Sequence, residues 1–249
     1  MNTIVCIKRV PDSASRVKVG PGGSELDPAG VKYVVNPYDE FALEEAIRRR
    51  EAAGSGTVTV ISLGPAATTE ALRQALAMGA DEAVHLKSDG SHDGLAVARA
   101  LAAEISGREY DLVMFGKQAI DHDNMQVPQM VAEFLGVPCA AVVVGLEIAD
   151  GRAVARREVE GGHEVLEFSL PAVVSAQKGL NEPRYVNLKG IMAAKKKPLE
   201  EKDVALEVST LELVSLEEPP SAAPGRIIGE GADAVPELIA ALRDEAGVL

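Results

Sequence analysis

The sequence predicts an α/β fold: a doubly wound, mostly parallel sheet with an antiparallel addition and an extended C-terminal arm. Three observations carry this expectation. Short apolar runs rich in Val and Ile alternate with helical patterns through residues 4–135, and such alternation builds parallel sheets through crossover helices. Glycine or proline closes the carboxyl ends of these runs, as at Gly64-Pro65 and Gly116. From Cys139 the pattern becomes strand, turn, strand with no helix between, which marks antiparallel hairpins.

Residues 4–7 are the first buried strand, followed by a polar, glycine-rich segment at 11–30. Asn36-Pro37-Tyr38-Asp39-Glu40 opens a helix. Asn36 suits the cap, Pro37 the first helical position, and the two acids the positive helix end, while Arg48, Arg49 and Arg50 suit the negative end. A strand at 58–63 ends at Gly64-Pro65, and a helix through Leu72, Ala75 and Leu76 stops at Gly79. A strand at 83–86, a helix at 95–105, a strand at 111–115 and a helix at 126–135 complete the alternation. Runs at 140–148, 152–158 and 164–170 are joined by turns at Asp150-Gly151 and Gly161-Gly162, and 171–176 returns to the main sheet. Beyond Leu180 the chain is polar, with the basic run Lys195-Lys196-Lys197, an acidic stretch and an amphipathic helix at 235–242. It has too few apolar residues for a core of its own and is read as lying on its own domain or on a partner. The expected organisation is a nucleotide-binding domain at 1–180, then a partner-recognition loop and C-terminal arm at 181–249.

Composition narrows the function. The 249 residues are 47% hydrophobic and carry a formal net charge of −13, so phosphate backbones are repelled and nucleic acid is not an expected partner. There is no Trp and aromatics total 3%, which leaves no stacking platform for single strands. Cys6 and Cys139 lie in apolar runs and read as buried, reduced thiols without metal or redox spacing. The longest apolar stretch, 137–146, is short of the roughly 18–20 residues a membrane helix needs. The chain enters a strand pattern directly, without a leader pattern. It is therefore expected in the cytoplasm and not embedded in a membrane.

Ligands of open parallel sheets bind beyond the carboxyl ends of the strands. Three segments sit there: 8–12, 62–65 and 116–124. The last precedes a helix, whose free N–H groups attract phosphate. Each taken alone is equally an ordinary loop. No glycine-rich dinucleotide fingerprint and no Walker A sequence is present. No Ser-His-Asp or Cys-His set stands out, so no catalytic or metal-binding residue is assigned. His85 reads as a packed residue, and Asp121 and Asp123 as caps for backbone donors. Residue chemistry reaches a nucleotide-binding α/β domain with a partner-seeking tail.

The stretch from Leu170-Pro171-Ala172-Val173-Val174 through Asn181-Glu182-Pro183-Arg184-Tyr185 to Lys195-Lys196-Lys197 resembles the pattern of electron transfer flavoprotein beta subunits. Val10-Pro11-Asp12, Asn36-Pro37-Tyr38-Asp39, Ala75-Leu76-Ala77-Met78-Gly79 and Gly116-Lys117-Gln118-Ala119-Ile120-Asp121 match in order and spacing. The resemblance implies a heterodimer with an alpha subunit that holds most of one redox-active FAD, and AMP bound in this subunit. It implies electron flow from dehydrogenases, such as those acting on acyl-CoA, to a quinone-linked oxidoreductase, with the chain itself a carrier subunit rather than an enzyme. Carried residue by residue, it implies nucleotide contacts from Cys6, Asn36, Pro37, Tyr38, Asp39, Leu63, Gly116, Lys117, Gln118, Ala119, Ile120, Asp121, His122, Asp123, Asn124, Met125, Gln126 and Val127. Glu158, Leu188, Lys195 and Lys196 correspond to partner-facing positions, with Leu188 expected on a surface loop. Val127-Pro128 stands where several relatives have Thr-Gly, and Ser13 where some place a tyrosine near the flavin ring. Pro11 and Asp39 occur also in relatives that hold a second FAD in place of AMP and bifurcate electrons, which is the alternative reading. A stand-alone nucleotide-binding stress-type protein is the alternative of another class, and a nucleotide-activating synthetase lacks its pyrophosphate loop here.

Overall fold

The computed structural model describes residues 1–90, 92–204, 206–207, 209–220 and 224–249. They divide into two units, Met1–Ser215 and Leu216–Leu249. The strands are β1 (Thr3–Cys6), β2 (Arg9–Pro11), β3 (Tyr33–Val35), β4 (Val58–Gly64), β5 (Glu82–Lys87) and β6 (Leu112–Gly116). They continue with β7 (Cys139–Ala149), β8 (Arg152–Val159), β9 (Gly162–Ser169), β10 (Ala172–Ala176) and β11 (Leu199–Asp203). The α-helices are α1 (Pro37–Ala53), α2 (Thr68–Met78), α3 (Gly94–Ser106), α4 (Val127–Leu135), α5 (Leu188–Ala194) and α6 (Val235–Ala240).

Nine strands form the main sheet in the order β11-β5-β4-β1-β6-β10-β7-β8-β9. All neighbours are parallel except the β7-β8-β9 meander. Successive strand side chains point to opposite faces, so β1 feeds both cores. Val5 joins Leu43, Ile47, Leu72 and Leu76 of α1 and α2 on one face. Ile4 and Cys6 join Leu101, Ile105 and Val131 of α3 and α4 on the other. Burial on both faces explains why the central strands read as continuous apolar runs. The chain moves from β1 to β4 to β5 on one side, then returns to place β6 on the other side of β1. That reversal opens a crevice beyond the carboxyl ends of β1 and β6.

Two pieces of the sheet system differ from the sequence reading. The segment taken as polar and glycine-rich begins in β2, which pairs antiparallel with β3; strands of three residues are too short to show a period. The polar tail supplies β11, which pairs parallel with β5. Its sequence Leu-Glu-Glu-Lys-Asp lacks apolar alternation because charge holds it: Lys202 Nζ lies 2.9 Å from Glu104, Arg108 Nη2 3.2 Å from Glu200, and Lys87 Nζ 3.0 Å from Asp203. Beyond it, Asp93 joins the chain to the start of α3. One of its oxygens accepts the Ala96 N–H at 2.8 Å as a helix cap, and the other accepts the Thr210 N–H at 2.5 Å. These bonds, the Ala96 one foremost, hold its carboxyl down at about 2.

The arginines of α1 work through contacts rather than only through the helix dipole. Arg50 bonds the Gly79 carbonyl and Asp81, and Arg49 bonds the Leu146 carbonyl. Cys6 is buried, Cys139 at the start of β7 is half-buried, and both are free thiols. No described helix is long and apolar enough to cross a membrane. In the unit Leu216–Leu249, a 3-10 turn at Ala232–Ala234 leads into α6, and Arg226 pairs with Glu245 at 2.6 Å. None of its described residues is buried, and Ile227, Val235, Leu238 and Ile239 are exposed.

The segment between β10 and α5 is strapped to α1. Asn181 Nδ2 donates to the Phe41 carbonyl at 2.9 Å. Arg184 Nε donates to buried Glu44 at 2.8 Å and Nη1 to Glu51 at 2.8 Å, while Arg48 reaches Glu44 from the same helix at 2.6 Å. Burial alone would raise the Glu44 carboxyl, but the bonds from Arg184 and Arg48 outweigh it and hold it below the usual range. Its contribution to stability is therefore present above about pH 4.3 and lost as pH falls through the lowered value. Arg184→Ala leaves a buried carboxylate half-paired and is expected to cost about 1–3 kcal/mol at pH 7. Urea midpoints across pH check this: the deficit should shrink below about pH 4, as Glu44 protonates.

Candidate functional site

At the crevice, the loops that leave β1 and β6 need acceptors for their N–H groups, and the first turn of α1 supplies them. Asn36 occupies the cap position, but its side chain makes no capping bond; its backbone carbonyl accepts from the Asp39 and Glu40 N–H groups instead. The side-chain amide, freed from that role, reaches across the crevice. Asn36 Nδ2 donates to Gln118 O at 2.8 Å and to Asp39 Oδ1 at 2.9 Å, and Oδ1 accepts the Ile120 N–H at 3.2 Å. Asp39 Oδ2 accepts the Lys8 N–H at 2.7 Å, and Oδ1 accepts the Gly116 N–H at 3.0 Å. The exits of β1 and β6 are thus tied together through two side chains of one helix end. Burial pushes the Asp39 carboxyl up to about 7, against the three N–H donors that favour its charged form. Gly116 is required by the same contact, because a Cβ there would collide with the Asp39 carboxylate and the Tyr38 backbone.

The loop that follows β6 is shaped by its own polar groups. Lys8 Nζ pairs with Asp121 at 2.6 Å, and Lys117 Nζ lies 4.9 Å from the centre of the Tyr38 ring. Gln118 Nε2 donates to Asp123 Oδ1 at 2.5 Å, and Asp123 and Met125 take left-handed backbone, φ 50° and 51°. The loop delivers Gln126 to the start of α4, where no side chain caps the helix and Pro128 supplies no N–H. Cys6 lies beside this edge with its thiol pushed up by burial and by the Asp39 charge, which makes it unreactive. Leu63 sits half-buried at the end of β4, and the neighbouring Gly64 carbonyl lies 3.0 Å from His85 Nε2. Among the described residues no group of three His, Cys, Asp or Glu is placed to hold a metal.

The structure therefore gathers Cys6, Asn36 to Asp39, Leu63 and Gly116 to Val127 at one carboxyl edge of the sheet. Of these, Pro37, Tyr38, Ile120 and Asp121 also line an open cleft of about 700 Å³ with Pro11, Asp12, Ser13, Phe41 and Lys178. The partner-facing candidates do not gather. Glu158 is on β8, where its Oε2 accepts from Gln177 Nε2 at 2.9 Å. Leu188, with Lys195 and Lys196 just beyond the helix end, belongs to α5, which packs on α2. Leu188 is not on a loop as expected: it is the first residue of α5, because Asn187 Oδ1 accepts the Gly190 N–H at 2.8 Å and starts a helix. It is 76% exposed, next to Tyr185 at 96% and the exposed Ile191 and Met192. Lys197 departs from the solvated run: its ammonium bonds the Leu76 carbonyl at 3.0 Å and that of Ala80. Arg184, Gln177 and Lys178 were missed. Lys178 follows the end of β10, a signal usable only once β10 is known to lie beside β6.

The family model described as Electron transfer flavoprotein domain matches residues 25–207. Three relatives carry the name electron transfer flavoprotein subunit beta. That of Bradyrhizobium diazoefficiens is 41% identical over all of both chains. That of Bacillus subtilis is 40% identical, again over all of both chains. That of Sus scrofa is 40% identical over 98% of this chain and 97% of its own.

Asp39 gives the edge a pH signature. Between about pH 4 and 7 the folded chain keeps a proton that the unfolded chain has released, so the contribution of Asp39 to stability falls as pH rises across that window. Asp39→Asn removes the titration and sets an amide N–H₂ against the Lys8 or Gly116 N–H, an unpaired donor costing about 1–3 kcal/mol. Denaturation midpoints measured from pH 4 to 7 are expected to decline in the wild type from this group and to lack that component in the variant.

Proposed function

The chain belongs to the electron transfer flavoprotein family as a beta subunit, and from that premise we propose that it binds AMP at the carboxyl ends of β1, β4 and β6 and pairs with an FAD-bearing alpha subunit. The observation that carries the nucleotide reading is the Asn36–Asp39 knot, which locks the loops after β1 and β6 around the crevice where open α/β sheets bind ligands. The uncapped start of α4 leaves N–H groups for a phosphate. The 700 Å³ cleft would take the ring of the FAD held by the alpha subunit, with Pro11, Pro37, Tyr38 and Phe41 as apolar walls and Ser13 beside them. When bound, the flavin supplies the electron-transfer chemistry; this chain positions it and sets its electrostatic surroundings.

Electrons are taken from dehydrogenases, such as those acting on acyl-CoA, and delivered to a quinone-linked acceptor. Docking to the dehydrogenase rests on Leu188, whose exposure beside Tyr185 and Met192 leaves an apolar surface uncovered among the described residues. Lys195 and Lys196 steer acidic surfaces toward it. Glu158 faces the mobile flavin domain.

Denaturing the copurified heterodimer is expected to release one FAD and one AMP. Two FAD and no AMP would replace this reading with the bifurcating one, to which Pro11 and Asp39 are also suited. Leu188→Ala is expected to weaken dehydrogenase docking roughly tenfold, the loss of about 1.5 kcal/mol of buried apolar contact. Nucleotide content and melting temperature should hold, since Leu188 is outside the core. Transfer kinetics at limiting protein concentration measure the first, and unchanged kinetics would remove Leu188 from the docking surface.

A further inference from the structure

The charges that line the 700 Å³ cleft do not balance. Asp12, Asp121 and Lys178 are its charged lining residues. Both carboxylates are already engaged. Asp12 accepts the Ala14 N–H at 3.0 Å and faces Lys32 Nζ at 3.3 Å, and these hold its carboxyl below the usual range. Asp121 pairs with Lys8 at 2.6 Å. Among the described residues the Lys178 ammonium makes no ion pair and no hydrogen bond. The cleft therefore presents one uncompensated charge, and it is positive, against a chain whose net charge is −13. Lys117, stacked on Tyr38 behind the wall, has the same sign.

The position of Lys178 is fixed although its side chain is free. Its N–H donates to Gln177 Oε1 at 2.9 Å, and the Gln177 N–H donates to Val143 O at 2.9 Å. Gln177 Nε2 in turn donates to Glu158 Oε2. Glu158 is the nearby opposing charge, and that bond directs its carboxylate to Gln177. The backbone from which Lys178 springs is thus anchored to β7 and β8 at the rim of the cleft.

We propose that Lys178 is a positioning residue for charge: it favours the reduced over the oxidised form of the flavin ring that meets this cleft, and so raises its reduction potential. This rests on the reading of the cleft given above. Two electrons from the donor and one proton from water convert a neutral oxidised ring to a monoanion, and a cation at the rim favours the charged product. Asp12 and Asp121, already paired, oppose this less than bare carboxylates would.

The test uses the assembled heterodimer and a spectroelectrochemical titration of its flavin. Lys178→Met is expected to weaken the heterodimer's preference for the reduced ring about tenfold, a fall of about 30 mV for a two-electron couple. Lys178→Arg should retain the wild-type potential, and the difference between wild type and Lys178→Met should narrow at about 1 M salt, where the screening length is about 3 Å. Flavin content and melting temperature of Lys178→Met should match wild type, because the side chain supports nothing else. A second variant, Ser13→Trp, reads whether the ring meets the cleft, through quenching of flavin fluorescence. Quenching in Ser13→Trp with an unchanged potential in Lys178→Met would overturn the role of Lys178 and leave the cleft reading standing. Absence of quenching would overturn the cleft reading and the proposal with it.

Discussion

One buried carboxylate, Asp39, joins the two strand ends on either side of the switch in strand order. The exits of β1 and β6 each turn an N–H toward the crevice, at Lys8 and at Gly116, and Asp39 accepts both. Removing a carboxylate from water costs several kcal/mol, and hydrogen bonds from three N–H donors offset only part of that cost. The arrangement tolerates little change around it. Gly116 has no room for a side chain, and Asn36 must turn its amide away from a capping role to complete the set. Loops tied in this way suit the nucleotide site proposed for this edge.

Helix α1 carries that constraint into the rest of the unit. Its first turn holds the crevice, while its middle buries Glu44 and Glu45 on a face where an ordinary amphipathic helix would bury leucines. Those acids face Arg184, Arg48, Arg49 and Asn181, so the strap leading to α5 is fastened by charge and polar bonds as well as by Leu180 and Val186, which pack against the core. Arg49 adds a bond to the carbonyl of Leu146 in β7. The helix therefore touches the carboxyl edge of the sheet, the antiparallel meander and the strap that presents the exposed leucine.

The parallel core was readable because both-sided burial writes itself as runs of Val, Ile and Leu, and the meander because Asp150-Gly151 and Gly161-Gly162 mark its turns. What escaped was what local pattern does not encode. β2 and β3 are too short for a period, and β11 is bound by ion pairs to residues about a hundred positions earlier in the chain. Asn36 was placed correctly at the helix start, but its partners Gln118 and Ile120 lie over eighty residues away. Asp39 read locally as a complement to the helix dipole; only the family pattern pointed to the site, and its bonds depend on the strand order. Leu188 was correctly exposed but assigned to a loop, since the helix that Asn187 caps is only seven residues long and carries Gly190 in its first turn.

The placement of β11 bears on how the subunit is made. Until residues 199–203 leave the ribosome, β5 is the outermost strand, and it carries Ala83, Val84 and Leu86 with an open row of backbone groups. At about 5–20 residues per second of synthesis, that edge stays uncovered for on the order of ten seconds. An open apolar edge is a template for pairing with other chains. When the charged strand arrives it closes β5 and leaves Glu200, Glu201, Lys202 and Asp203 as the new rim. The nascent chain is thus most exposed to mispairing in the interval before its own polar tail appears, and the finished one wears that tail as a guard.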